Sequence, residues 1–280
     1  MPEGFIAGEP MSGASFAQCF ARCRADNRAA LIPFLTCGYP DAPQSLELLQ
    51  GMAGAGADII ELGIPFSDPL ADGPTIQRSS FQALERGMTT EGTLDVLRAF
   101  RAGHDTPVVL FSYLNPILRY GVEEFARAAV EAGAQGLLLT DVPAGADPAL
   151  ESRLSAHGLD LIRLIAPTTS PERVAAIARA GAGFLYYISR TGVTGARTRL
   201  RRALGREVRA VQGRVGGIPV AVGFGISTPE QAADVAAAAE GVVVGSALID
   251  HCEREGAEGV RDFVAALREA MERDGPDRSL

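Results

Sequence analysis

Short apolar runs separated by amphipathic stretches recur along almost the whole chain. Most of these runs are nearly all apolar rather than alternating, and turns rich in Gly, Pro, Asp or Ser follow them. This pattern is typical of parallel strands whose outer face is covered by helices. The predicted strands are Leu31–Leu35, Ile59–Gly63, Val108–Ser112, Gly136–Thr140, Leu159–Ile165, Phe184–Ile188, Val220–Gly223 and Val242–Val244.

Helical spacing of apolar residues fills the intervals between these strands. Two of the predicted helices begin with a proline directly after Ser or Thr, where the missing N–H is harmless. Another two fall between the second and third strands, so one helix there is extra. The predicted helices are Ser15–Arg24, Pro43–Ala55, Thr75–Arg86, Thr93–Arg101, Val122–Ala132, Pro148–His157, Pro171–Ala180, Arg201–Gln212, Pro229–Ala238 and Val260–Arg273.

Strands and helices in alternation predict an α/β fold, a (β/α)₈ TIM barrel preceded by an extra N-terminal helix. No linker or change of composition divides the chain, so residues 15–280 are expected to form one catalytic domain. Residues 1–14 are rich in Gly, Pro and Ser and are expected to be mobile. The alternative, a doubly wound open sheet, is disfavoured by the number of strands and by the absence of G-x-G-x-x-G after the first strand.

The charge balance narrows the class of ligand. The net charge of −8 provides no broad basic surface, which argues against nucleic acid or an anionic membrane as the main partner. No apolar run reaches the roughly 18 residues of a transmembrane span, and no basic region followed by an apolar one opens the chain. A small-molecule substrate and a cytoplasmic location are therefore expected.

The inventory of reactive side chains excludes several reaction types. All 26 basic residues are arginines, so this chain alone has no amine for Schiff-base chemistry. His104, His157 and His251 stand far apart without the spacing of a zinc site, and no metal is expected. The four cysteines include no C-x-x-C pair and are predicted to be free thiols. Acid–base chemistry is left to carboxylates and tyrosines.

The stretch from Asp58 to Pro74 carries two unusual carboxylates. Glu61 lies inside the second apolar run, where alternation puts it on the face opposite Ile60 and Leu62. If those two residues pack on helices, Glu61 points into the mouth of the barrel, where such enzymes have their active sites. The alternative is a buried glutamate paired with an arginine. Asp72 ends the long loop after this strand, and capping of the next helix is its competing role.

Other candidate groups stand where predicted strands end. Tyr113 and Asn115 follow the third strand and Asp141 follows the fourth, but turns and helix caps use these residue types as often as ligand sites do. Glycine-bearing segments follow the last three strands, and a helix begins after Gly245. Backbone N–H groups in such segments bind phosphate monoesters, although any one segment alone is explained by turn geometry.

Several long motifs together resemble one family. They are Ile32–Thr36 with Gly38–Asp41, residues 58–77, Tyr113–Pro116, Thr140–Pro143, Ile165–Thr169, Ser189–Gly195, Gly223–Ser227 and Gly245–Ala247. From about Phe16 to about Ala270 the chain resembles the tryptophan synthase alpha subunit, an indole-3-glycerol-phosphate lyase. The resemblance implies the barrel with its extra N-terminal helix, and retro-aldol cleavage of indole-3-glycerol phosphate into indole and glyceraldehyde 3-phosphate.

The resemblance also implies roles for individual residues. Glu61 matches the catalytic acid/base, and Asp72 matches the group that accepts the indole N–H. The residues expected to bind substrate are Phe34 as a wall of the indole pocket, Tyr113, Asn115, the active-site tyrosine Tyr186, and Thr194 in a mobile lid. The residues that match the phosphate-binding positions are Gly195, Gly225, Gly245 and Ser246.

A protein partner is implied as well. In the family, a beta subunit carrying pyridoxal phosphate receives the indole through a tunnel in an alpha2beta2 heterotetramer, and joins it to serine. The loop around Ser67–Pro69 contacts that partner, and the alpha chain itself is expected to carry no cofactor.

The departures from the family pattern are Cys37, the absence of lysine and the Arg197–Arg209 cluster, which leaves the pairing with a partner open. None of them falls on a catalytic position. The alternatives are a free-standing lyase, a subunit that mainly activates its partner, and a phosphosugar isomerase or epimerase on the same barrel.

Overall fold

The structure is a computed structural model in which residues 15–188, 197–223 and 225–273 are described. Its strands are parallel, they pair in sequence order, and β8 pairs with β1 to close the barrel. The expected (β/α)₈ TIM barrel is therefore confirmed. The strands are β1 Ala30–Thr36, β2 Ile60–Gly63, β3 Val108–Ser112, β4 Gly136–Leu139, β5 Asp160–Ile165, β6 Leu185–Ile188, β7 Val220–Gly223 and β8 Gly241–Val244.

The helices cover the outside of the barrel, apart from α1, which precedes β1. Most begin and end within a few residues of the predicted bounds, but α11 begins well before the predicted Val260 and bends at Gly256. The helices are α1 Phe16–Ala25, α2 Ala42–Gly54, α3 Pro74–Glu85, α4 Thr90–Arg101, α5 Leu114–Tyr120, α6 Val122–Glu131, α7 Pro148–Ser155, α8 Pro171–Ala180, α9 Arg197–Gln212, α10 Pro229–Ala236 and α11 Ser246–Arg273.

Helix α5 is an element that the sequence pattern did not predict, since no helix was placed between the third strand and Val122. Pro116 lies in the first turn of the helix, where its missing N–H leaves no bond unmade. The backbone N–H of Leu114 donates a hydrogen bond of 2.9 Å to the Asp141 carboxylate, which comes from the neighbouring β4–α7 loop. Asp141 therefore supports the start of a helix, in agreement with its capping alternative, but the helix is not its own.

The inside of the barrel is filled by every second residue of the strands. Ile60 and Leu62 face outward and are fully buried against the surrounding helices. Glu61 between them therefore faces inward, as the alternation predicted. The buried apolar residues of the inner cluster that the strands and their edges contribute are Ala30, Ile32, Ile59, Val109, Leu138, Ile162, Phe184, Ala221 and Val243.

Helix α1 closes the amino-terminal end of the barrel. Phe16 and Phe20 pack against Phe184, with ring centroids 5.5 and 5.6 Å apart. The approach is close, because a Cβ added at Gly136 or Gly183 would lie 2.7 or 2.8 Å from the Phe16 ring. The extra N-terminal helix is thus part of the barrel core rather than an appendage.

Some expectations concern residues beyond this description. The mobile segment predicted for residues 1–14 lies outside the described residues and stays a prediction, as does the domain limit at residue 280. The cysteines are free and buried, as predicted. Within the described ranges, no helix is both long enough and apolar enough to span a membrane.

Candidate active site

Three ionisable groups predicted from the sequence meet at the carboxyl ends of the strands. Glu61 of β2 lies in register between Phe34 of β1 and Val109 of β3. The charge of Asp72, on the β2–α3 loop, raises the pKa of Glu61, although burial contributes more. The pKa of Tyr186, on β6, is raised first by burial and then by both carboxylates. These side chains therefore share one enclosed environment.

Glu61 is buried without an ion-pair partner. Its side chain is 2% exposed, and its Oε1 atom has no hydrogen-bond partner. Among the described residues no arginine forms a salt bridge with it, so the alternative of a structural Glu–Arg pair is excluded. Burial, with a smaller contribution from Asp72, raises the pKa of Glu61 from 4.5 to about 8. At neutral pH the side chain therefore holds a proton that it can donate.

Asp72 does not cap the helix that follows it. The N-cap of α3 is Gly73, which makes no side-chain capping bond, and Asp72 Oδ2 instead accepts a hydrogen bond of 2.9 Å from the Tyr113 hydroxyl. The helix-cap alternative is therefore excluded. Burial raises the pKa of Asp72 from 3.8 to about 6, and the bond from Tyr113 opposes that rise. At neutral pH this carboxylate is mostly ionised, opposite to Glu61.

The Tyr186 ring occupies space that Gly223 leaves free. A Cβ placed on Gly223 would lie 2.2 Å from the Tyr186 hydroxyl oxygen and 2.7 Å from the ring. Burial and the two carboxylates raise the pKa of this phenol well above its ordinary value, so it remains a neutral hydrogen-bond donor. From the sequence, Gly223 was assigned to a phosphate-binding segment. In the structure, the missing side chain at Gly223 makes room for the Tyr186 ring.

We expect Gly223→Ala to lower the free energy of unfolding by about 1 to 3 kcal/mol, because overpacking forces the Tyr186 ring to move. Denaturant unfolding measures the loss, and a crystal structure of the variant shows the displaced ring. Gly103→Ala is the matched control, since an added Cβ there meets nothing within 4 Å. Equal stabilities of the two variants would contradict the steric role of Gly223.

An aromatic wall stands beside the carboxylates. The rings of Phe34 and Phe111 pack edge to face with centroids 5.3 Å apart. Gly63 makes room for Phe34, because an added Cβ would lie 2.8 Å from that ring. Phe111 was missed from the sequence, although the alternation that turns Val109 inward also predicts it. The wall suits a flat aromatic ligand.

A cavity of about 10 Å³ separates this wall from Asp72. This volume accommodates about one water molecule, so a bicyclic ring enters only when the surrounding side chains move apart. The residues that line the cavity are Phe34, Thr36, Gly63, Ile64, Phe66, Pro69, Asp72, Ile76, Ser80, Phe111 and Tyr113.

Two of the predicted phosphate-binding segments can be located. Gly225 follows β7 with φ +77°, a conformation that itself favours glycine. Gly245 directly precedes α11, whose first turn begins at Ser246 and contains no acidic side chain. A Cβ on Gly245 would meet Phe34 at 3.6 Å, an ordinary contact, so packing alone does not demand glycine there. The start of α11 thus offers free N–H groups to an anion.

The remaining predicted residues do not join this group. Asn115 is exposed on α5 and lines a separate groove of about 490 Å³ with residues such as Ser67 and Arg119. Its expected contact with substrate therefore gains no support from its position. Thr194 and Gly195 lie outside the described residues.

One group of possible metal ligands lies at the opposite end of the barrel. The ligand atoms of Cys19, Cys23 and Asp58 are within 4.8 Å of one another. The Asp58 carboxylate, however, accepts hydrogen bonds from Arg28 at 2.7 and 2.8 Å and from Arg268 at 2.8 Å. Two guanidinium groups already neutralise this carboxylate, so the cluster forms a structural ion network beneath the barrel.

Comparisons with known proteins agree with this architecture. The model of the family described as tryptophan synthase alpha chain matches residues 20–274. The chain is 48% identical over 235 residues to the tryptophan synthase alpha chain of Caulobacter vibrioides strain NA1000, covering 84% of this chain and 85% of that one. It is 47% identical over 266 residues to the tryptophan synthase alpha chain of Acidiphilium cryptum, covering 91% and 96%.

Solved structures show the same relationship. A chain of Mycobacterium tuberculosis tryptophan synthase, solved in space group F222, superposes with a TM-score of 0.84 at 40% identity, covering 93% of this chain and 99% of that one. The tryptophan synthase alpha chain from Legionella pneumophila superposes with a TM-score of 0.85 at 35% identity, covering 93% and 98%. The barrel, the matched family model and these relatives lead to one conclusion: the chain belongs to the tryptophan synthase alpha chain family.

Proposed function

We propose that this chain cleaves indole-3-glycerol phosphate with Glu61 as its catalytic acid/base and Asp72 as the acceptor for the indole N–H. Lyase cleavage of that substrate is the reaction of the family. The observation that carries the residue assignment is a buried glutamate with an unpartnered Oε1 atom, close to a second carboxylate in the opposite protonation state. Schiff-base catalysis by a lysine amine is excluded, because the sequence contains no lysine.

The reaction begins with a proton at indole C3. Protonated Glu61 donates it, and the positive charge spreads to N1, whose N–H donates to the Asp72 carboxylate. The carboxylate left on Glu61 then takes the proton of the side-chain hydroxyl. The bond between C3 and the glycerol phosphate chain breaks, its electrons return to the indole ring, and the former hydroxyl carbon becomes the aldehyde of glyceraldehyde 3-phosphate. One proton enters and one leaves, so the cleavage is balanced.

The two carboxylates are suited to these different tasks by their surroundings. Complete burial keeps the proton on Glu61 with a pKa of about 8, whereas the phenol of Tyr113 stabilises the ionised form of Asp72, with a pKa of about 6. Paired titratable groups whose pKa values are pushed apart in this way are typical of acid–base sites. Both groups are in the required state between about pH 6 and pH 8.

We assign the phosphate of the substrate to Gly195, Gly225, Gly245 and Ser246, and a separate contact with the substrate to Thr194. The helix N-terminus at Ser246 and its free N–H groups support this assignment. Backbone N–H groups at a helix N-terminus bind an anion without a lysine side chain, and this chain has no lysine.

A tryptophan synthase beta subunit is the partner that membership of the family implies. We assign pyridoxal phosphate to that subunit and an alpha2beta2 stoichiometry to the complex; a cytoplasmic location and the absence of nucleic-acid and membrane partners also belong to this proposal. Two exposed apolar side chains support a protein contact near the mouth: Leu70, 90% exposed in the loop after Ser67–Pro69, and Leu118, 54% exposed on α5. Both segments border the groove of about 490 Å³.

An assay of indole formation with and without the beta subunit tests the proposal. We expect weak activity alone and strong stimulation by the partner. High activity without a partner would instead indicate a free-standing lyase, and activity in neither condition would overturn the enzyme assignment. Leu118→Asp is expected to lose stimulation while its basal activity is unchanged. Val130→Asp, which changes an exposed apolar residue late in α6, is the matched control and keeps both.

A further inference from the structure

Tyr113 was expected to bind substrate, but its hydroxyl is already engaged by the protein. The side chain is 4% exposed. Its hydroxyl oxygen accepts a hydrogen bond of 3.0 Å from the backbone N–H of Ala71 and donates one of 2.9 Å to Asp72 Oδ2. The phenol thus lies between two positions of the same loop, and it reaches them from the end of a neighbouring strand.

The direction of these bonds follows from the donors available. A backbone N–H only donates, and a phenol has a single hydrogen, so the Tyr113 hydrogen must point to Asp72. Burial and the charge of Asp72 raise the pKa of this phenol, which therefore keeps its hydrogen. Asp72 Oδ2 is consequently held as an acceptor.

We propose that Tyr113 is a positioning residue that fixes Asp72 as an ionised acceptor and leaves its Oδ1 atom for the indole N–H. The inference rests on the proposed function, because it assigns Tyr113 to act through Asp72. It differs from a substrate contact, since the phenol has no hydrogen left to offer a ligand. It also explains how a half-buried aspartate stays charged beside a buried glutamate.

The surroundings of Asp72 determine what the loss of this bond does. Among the described residues, the titratable groups that face Asp72 are Glu61 from β2, Tyr113 at the end of β3 and Tyr186 from β6. None of them is a cation. Burial raises the pKa of Asp72, and the bond from Tyr113 is the interaction that lowers it. Without that bond the pKa of Asp72 rises further, and the carboxylate loses its charge at a higher pH.

The test is the pH dependence of kcat for Tyr113→Phe. We expect the acid limb of the profile to move upward by about one pH unit, since a hydrogen bond to a charged group has that order of effect. Relative to wild type, activity falls about 10-fold below about pH 6 and recovers almost completely near about pH 8. KM for indole-3-glycerol phosphate changes little. NMR titration of the Asp72 carboxyl carbon gives the same shift without relying on catalysis.

Controls separate this role from a structural one. Tyr120→Phe removes another phenol, one that bonds to Glu91, and is expected to leave the profile unchanged. A loss of activity that is equal at all pH values, or an unshifted Asp72 titration, would overturn the positioning role. Full activity of Asp72→Asn would instead refute the proposed function. Reduced activity of Asp72→Asn together with an unshifted profile for Tyr113→Phe would refute only the role of Tyr113.

Discussion

Glu61→Gln is expected to lower indole formation by about 10² to 10⁴-fold, the usual contribution of a general acid or base. The amide has nearly the same shape as the protonated acid but delivers no proton to indole C3. Because Glu61 is not one of the proposed phosphate-binding residues, calorimetry is expected to show almost unchanged affinity for a phosphate ligand such as glyceraldehyde 3-phosphate. Near-normal turnover in steady-state assays would defeat the assignment.

The stability of the same variant relative to wild type is expected to increase as the pH rises. The pKa of Glu61 is about 8 in the folded protein against 4.5 ordinarily, so wild type loses stability between these values, where the unfolded chain has already released the proton. Glutamine has no such penalty. The gain of Glu61→Gln in unfolding free energy is expected to be near zero at about pH 4 and on the order of 2 to 4 kcal/mol at about pH 8. The exposed Glu47→Gln change serves as control.

Asp72→Asn is expected to lower kcat by about 10²-fold, as when an electrostatic stabiliser is lost at the reacting centre. The neutral amide cannot balance the positive charge on the indole ring. Its effect on the thermal unfolding temperature is expected to be small, because Asp72 caps no helix. Asp68→Asn, an exposed change in the same loop, is the control when both are assayed without a partner. A loss confined to thermal stability would favour a structural role for Asp72.

The fold could be predicted from the sequence because its strands are short uniform apolar runs closed by turn residues. The prediction failed at α5, where seven residues are too few to display helical periodicity. The capping carboxylate of Asp141 comes from a different loop, so no local pattern announced it. A short helix whose first N–H group bonds to a residue of another loop is difficult to recognise from the sequence alone.

The candidate site was only partly predictable, for a related reason. Glu61 was identified by its own surroundings, since a carboxylate inside an apolar strand is anomalous wherever the strand lies. The partner of Asp72 was not identifiable, because Tyr113 stands 41 positions away and reaches it only when the ends of β2 and β3 lie side by side. Gly223 was placed in a segment expected to bind phosphate. Its contact with Tyr186 was not predictable, because that contact depends on the pairing of β6 with β7.

Among the described residues, helix α1 closes the amino-terminal end of the barrel, so the active site is open only toward the carboxyl end. Phe16 and Phe20 pack against Phe184, and buried apolar side chains of the strands fill the barrel interior above these rings. Substrate and products are therefore expected to pass through the carboxyl end of the barrel rather than past α1. A partner that receives indole would accordingly contact the carboxyl end, because the apolar core and α1 close the other end.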